Sequence, residues 1–170
     1  TPDKRTIADF EAGPVQFNEK NEIVGGKLLQ TTYRMNANGT QGTKESITET
    51  EFSSKANPKK TVTTTYKKDG ITPFERTIAD FEAGPVLFDL DENNIVGGTL
   101  IQTTYRMNAN GTQGTKKSYT EIDFDGKGNV IETRTTDYGV DGATTKRYTV
   151  TDFRQAAYNE EGEIESGYIT

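Results

Sequence analysis

Residues 5–15 read RTIADFEAGPV, and residues 76–86 carry the same string. Residues 30–44 read QTTYRMNANGTQGTK, and residues 102–116 repeat that run as well. The offset is 71 residues, then 72 after one insertion near residue 90. A chain that copies itself this closely must build units that repeat, because the same local sequence carries the same local preferences. Weaker matches keep the register: Thr61–Tyr66 aligns with Thr133–Tyr138, and Asp69-Gly70 with Asp141-Gly142. A third copy starts at Arg147 and runs to Thr170, with Tyr158-Asn159 in the place of Phe17-Asn18. The expected layout is unit one at 1–71, unit two at 72–146 and a partial third unit at 147–170.

Each unit reads as strands joined by tight turns. Asn36-Ala37-Asn38-Gly39, Asn57-Pro58, Asp69-Gly70 and their later copies supply the positive φ that hairpin turns require. Between them lie segments rich in Thr, Tyr, Val and Ile, the residues that fit a pleated surface. Thr alone accounts for 28 of 170 positions. No stretch sustains a 3.6-residue apolar period, so no helix is expected. Gly25-Gly26 and Gly97-Gly98 interrupt otherwise long strands and predict bends or bulges. The fold expectation is therefore all-β, an antiparallel meander of two tandem repeats plus a partial third. Leu, Ile, Val and Phe total only 32 residues, so any core is thin. The preferred architecture is a small β-sandwich-like unit per repeat, with a single up-and-down barrel as the alternative.

Composition narrows the chemistry. The chain has no Cys, His or Trp. That removes disulfides, thiolate nucleophiles, and the usual general base and metal ligand. Paired carboxylates among 26 acidic residues carry no information, and no catalytic residue is expected. The net charge is −6 and the pI about 4.8. This balance argues against nucleic acid, which needs clustered Lys and Arg. No apolar run reaches the roughly 20 residues of a membrane helix, so no membrane insertion is expected.

Three sets of residues are candidates for function. Asn38 and Asn110 begin Asn-Gly-Thr sequons at turn tips, where a glycosylation acceptor must lie. Asp89, Asp91 and Asn93 space oxygen ligands like the start of a calcium loop. The loop pattern then fails, because Asn94 stands where Gly is needed and Leu100 where Glu is needed. No resident cofactor is expected, and calcium is the single ion this stretch suggests. The third set is the terminal strands: Arg5, Ile7 and Phe10 at one end, and Ile164, Tyr168 and Ile169 at the other. A truncated repeat leaves an unpaired strand edge, with Glu163–Thr170 the expected location, and such an edge can be completed by another molecule.

Charge is also polarised along the repeats. Unit one has 11 basic and 9 acidic residues, unit two 7 and 12, and the partial unit 2 and 5. Opposite ends would attract, which favours a head-to-tail, non-closing contact between copies.

Residues 124–131 (FDGKGNVI) and the Tyr-Thr-Val-Thr-Asp-Phe run at 148–153 resemble YD-type repeats of bacterial secreted proteins. The resemblance covers under a fifth of the chain and implies an extracellular or cell-surface setting. The functional expectation is a structural protein that polymerises with itself into a filament or surface matrix. The alternative is a secreted adhesin or stalk module whose partner is a surface glycan or a protein, with calcium assisting.

Overall fold

A computed structural model describes residues 3–89, 94–159 and 163–170. Those residues form strands and turns without a helix. The first repeat gives β1 (Lys4–Asp9), β2 (Gln16–Phe17), β3 (Ile23–Met35), β4 (Gln41–Phe52) and β5 (Pro58–Tyr66). The second gives β6 (Pro73–Asp80), β7 (Leu87–Phe88), β8 (Ile95–Met107), β9 (Gln113–Phe124) and β10 (Val130–Tyr138). The remainder gives β11 (Thr145–Asp152), β12 (Gln155–Tyr158) and β13 (Ile164–Tyr168). Strand lengths repeat with the sequence: β3 and β8 have 13 residues, β4 and β9 have 12, β5 and β10 have 9.

The architecture departs from the sandwich and the barrel expected from sequence. An 11-stranded antiparallel meander runs in the order β1-β3-β4-β5-β6-β8-β9-β10-β11, with β2 on β3 and β7 on β8. It is open, not closed into a barrel. β12 and β13 form a separate two-stranded hairpin. By compactness the chain divides into Thr1–Ile78 with Thr104–Thr115, and Ala79–Thr103 with Lys116–Thr170. The cuts fall inside β6, β8 and β9, so compact units and sequence repeats have different boundaries.

Burial explains why neither sandwich forms. Residues of β3–β6 and β8–β10 are mostly half-buried on both faces, without the alternation of buried and exposed positions that a covered sheet shows. In unit one, the register puts Thr6, Thr32, Ser46 and Thr65 in one row, and Ala8, Gln30, Thr48 and Thr63 in the next. Threonine hydroxyls on this face pair across strands: Thr6–Thr32 at 3.0 Å, Thr48–Thr63 at 3.0 Å and Thr50–Thr61 at 3.4 Å. Such pairs satisfy one another without a second layer. The opposite face carries Ile7, Leu29, Ile47 and Val62 among charged residues, including the Lys27–Glu49 ion pair at 2.8 Å.

In unit two, the apolar core among the described residues is Val86 and Leu100, 8% and 7% exposed. Val86 lies on the loop from β6 to β7 and Leu100 on β8. That loop is fixed by backbone bonds from Val86 N–H to the Phe81 carbonyl and from Thr99 N–H to the Gly84 carbonyl, both 2.9 Å. Phe81 and Phe88 close it with rings 6.1 Å apart, as Phe10 and Phe17 do at 5.9 Å in unit one.

The same bulged hairpin occurs three times. Gln16 faces Gly25 and Phe17 faces Ile23; Leu87 faces Gly97 and Phe88 faces Ile95; Ala157 faces Ser166 and Tyr158 faces Ile164. A glycine with positive φ follows each: Gly26 at 87°, Gly98 at 88° and Gly167 at 106°. A Cβ there would sit 1.9, 2.1 and 2.0 Å from the carbonyl oxygens of Pro14, Pro85 and Gln155. Only glycine lets the backbones approach this closely.

Candidate assembly interface

The open sheet ends on β1 and β11, the first exposed along its length and the second over its first six residues. All six residues of β1 are exposed, as are Thr145–Val150 of β11. The two strands are copies of one sequence element, aligned so that Asp9 matches Asp152, Ile7 matches Val150 and Arg5 matches Tyr148. Their free sides differ. β1 pairs with β3 on the side that β11 leaves open, and β11 pairs with β10 on the side that β1 leaves open.

Backbone geometry fixes which groups face outward. Met35 N–H donates to the Asp3 carbonyl at 3.1 Å. Antiparallel alternation then directs the amides of Arg5, Ile7 and Asp9 at β3 and those of Lys4, Thr6 and Ala8 to solvent. At the other end Asp152 N–H donates to the Thr170 carbonyl at 2.7 Å, and Thr170 N–H to the Asp152 carbonyl at 3.2 Å. The same alternation turns the N–H and C=O groups of Val150 and Tyr148 outward. Both side chains are exposed there, Val150 at 44% and Tyr148 at 60%.

The terminal residues singled out from sequence fall in different places. Arg5 and Ile7 lie on the exposed edge strand β1, opposite Tyr33 and Thr31. Phe10 follows it and packs its ring against Phe17 in a tilted arrangement. Ile164 and Tyr168 lie on β13, paired with Tyr158 and Gln155, and Ile169 follows, half exposed. β11 is one unpaired edge among the described residues, and Glu163–Thr170 holds another, because β13 pairs with β12 on one side and carries no strand on its other side. The signal for the β12–β13 pairing was in the sequence. Tyr158-Asn159 stands before Ser166-Gly167 as Phe17-Asn18 stands before Gly25-Gly26, so the segment had a hairpin partner of its own.

At the acidic stretch, Asp89 and Asn94 bond to each other. Asp89 N–H donates to the Asn94 carbonyl at 3.0 Å, and its carboxylate accepts Asn94 N–H at 3.2 Å. Asp91 and Asn93 lie outside the described residues. Among the described residues no cluster of acidic groups has the arrangement to hold a metal ion. Asn38 and Asn110 sit on exposed turns, each as an Asx turn. The side-chain oxygen accepts both the N–H and the hydroxyl of Thr40 or Thr112, at 3.1 and 2.7 Å.

A charged network, not legible in the sequence, stiffens β9–β11. Arg134 donates to Glu132, Glu121 and Asp123 at 2.5, 3.1 and 2.7 Å. These bonds raise its pKa above the ordinary guanidinium value. Arg154 reaches Glu132 at 2.8 Å, and Arg147 reaches Asp137 at 2.7 Å. On the opposite face of β9 and β10, where Ile122 and Thr133 lie, a groove of about 1190 Å³ is lined by Asp125, Lys127, Asn129, Tyr158 and Ile164 among others. Tyr158 donates its hydroxyl to the Val130 carbonyl at 2.6 Å, and burial followed by the nearby Asp125 charge pushes its pKa up.

No family model matches the chain, and no curated protein matches it. Among solved structures it is similar to a protein of unknown function from Bacteroides fragilis NCTC 9343, with a TM-score of 0.43 and 12% identity over 86% of this chain and 91% of that one.

Proposed function

We propose that the chain is an extracellular structural protein that self-assembles head to tail into a filament or surface matrix by β-strand addition. The observation that carries this reading is the pair of exposed strands ending one open meander. Each presents outward-facing amide and carbonyl groups, and beyond the Asp152–Thr170 pair neither edge carries a further strand among the described residues. Natural sheets blunt such edges unless pairing is their use. The charge difference between the repeats supports a polar contact, and it acts on orientation and encounter rate more than on strength.

Negative-stain electron microscopy across a concentration series tests the reading. Regular filaments with an axial repeat near one subunit are expected. Isolated particles at every concentration would remove it.

A second reading, an adhesive or stalk module, draws on the groove beside Tyr158, which offers an aromatic ring with carboxylate and amide groups around it. Saturable binding on a glycan array, lost in Tyr158→Ala, would favour that reading over assembly.

A further inference from the structure

Near-identical repeats can pair with the wrong copy, and such strand exchange is a characteristic folding error of repeat proteins. The β1–β3 pairing invites it. Arg5 lies opposite Tyr33, Thr6 opposite Thr32, Ile7 opposite Thr31 and Ala8 opposite Gln30. Each of those residues recurs in the second copy, as Arg76–Ala79 on β6 and Gln102–Tyr105 on β8. The central hydroxyl contact recurs with them, Thr6–Thr32 at 3.0 Å and Thr77–Thr104 at 3.0 Å. Within these blocks β1 would fit β8 as well as it fits β3.

Both identical blocks end at a charge reversal. Lys4 stands immediately before the 5–15 string and Glu75 before its copy, whereas Glu45 stands immediately after the 30–44 string and Lys117 after its copy. Folding brings the two flanks of the first copy together, with Lys4 Nζ 3.0 Å from Glu45 Oε1. Glu45 is the less exposed partner, and its other carboxylate oxygen is buried without a hydrogen bond. We propose that these paired reversals are a recognition code that keeps each opening strand with its own repeat. β6 laid on β3 would set Glu75 beside Glu45, and β1 laid on β8 would set Lys4 beside Lys117.

A second swap lies further along β3. Glu49 and Glu121 occupy one position of the repeat, but their cations come from different strands. Lys27 of β3 reaches Glu49 at 2.8 Å, and Arg134 of β10 reaches Glu121 at 3.1 Å. The repeat puts Thr99 in the Lys27 position and Val62 in the Arg134 position. β8 laid on β4 would leave Glu49 without a cation, and β3 laid on β9 would bring Lys27 to a carboxylate that Arg134 already holds. A surface ion pair adds little to stability. Discrimination counts the whole difference between an opposite-charge contact and the like-charge contact that replaces it.

The chain has no Cys, so a pair of introduced thiols reports on strand partners. T6C with T32C reports the native β1–β3 contact, and T6C with T104C reports the exchanged β1–β8 contact. Each full chain is refolded from urea under reducing conditions and oxidised only after folding. The ratio of the second cross-link to the first is the readout, and contacts between β1 and β11 of neighbouring chains do not move it. E75K/K117E gives both repeats the same charge pattern while keeping opposite signs within each. The exchanged share is expected to rise about fivefold or more, with the urea midpoint unchanged. K4E/E45K matches the repeats from the other side and is expected to do the same, so a folding failure of one variant leaves the other to decide. Combining all four substitutions makes the repeats differ again and should return the share to its original level. A share that stays level in the double variants, rises only in step with a fallen urea midpoint, or stays high in the quadruple variant would overturn the proposal.

Discussion

Two turns close with the same backbone bonds but place different residues at the left-handed position, and that difference sets a local strain. Ala56 adopts φ 63°, whereas its counterpart Gly128 adopts 82°. Both turns close with the same bonds: Ser53 N–H to the Asn57 carbonyl at 2.8 Å, and Asp125 N–H to the Asn129 carbonyl at 2.9 Å. An alanine pays for the left-handed conformation and glycine does not. Ala56→Gly should therefore stabilise the chain by about 0.5–1 kcal/mol in urea unfolding. The reverse change, Gly128→Ala, should destabilise by more than that, because its Cβ would lie 2.2 Å from the Ile95 carbonyl oxygen. A neutral result for both would refute the strain argument.

Acid sensitivity also belongs to single residues. Asp69 is lowered to about 2 by bonds from the Thr72 hydroxyl and the Ile71 and Thr72 amides. Asp141 is lowered to about 2 by the Thr144 hydroxyl and the Ala143 and Thr144 amides. A carboxylate with a depressed folded pKa stabilises the fold above its unfolded value, near pH 4, and loses that effect as pH falls toward 2. Stability should drop across this window. An Asp69→Asn, Asp141→Asn double variant should show a shallower drop between pH 4 and 2, and an unchanged slope would place the acid response elsewhere.

At the scale of elements, the meander was legible and its layering was not. Turn pairs such as Asn38-Gly39 and Asp141-Gly142, with Thr-rich runs between them, specify the strands. They do not say whether a sheet is covered, because threonines satisfy each other across strands as well in water as beneath a second layer. Alternation such as Leu29, Thr31, Tyr33 suggests a buried face, yet the residues opposite them, Glu49, Ile47 and Lys44, mix charge with apolar surface. The hairpin partner of β13 was hidden for a related reason. Only the Ser166-Gly167 pair, diverged from Gly25-Gly26, marked β13 as half of a hairpin.

The hairpins depend on their glycines. Gly98→Ala should cost on the order of 1–3 kcal/mol, from positive φ and from backbone overlap. The edge strands should behave differently. Val150→Pro removes an amide that points to solvent, so thermal unfolding should change by no more than about 1 kcal/mol. Assembly should be lost. Assembly that persists in this variant would show that β11 is not the contact.

For the whole molecule, polarity and openness act together. The first repeat is net positive, with 11 basic and 9 acidic residues, and the rest is net negative. Attraction of that kind is screened over about 8 Å at physiological ionic strength. Raising salt should slow filament growth, seen by light scattering, while leaving subunit packing in micrographs unchanged. The central claim is that the two exposed edges close on other chains, and amide hydrogen exchange as a function of protein concentration tests it most directly. The account predicts fast exchange at Lys4, Thr6, Ala8, Tyr148 and Val150 in dilute solution and slow exchange on concentration, with the inner strands unchanged. Edge amides that exchange at the same rate at every concentration would contradict it.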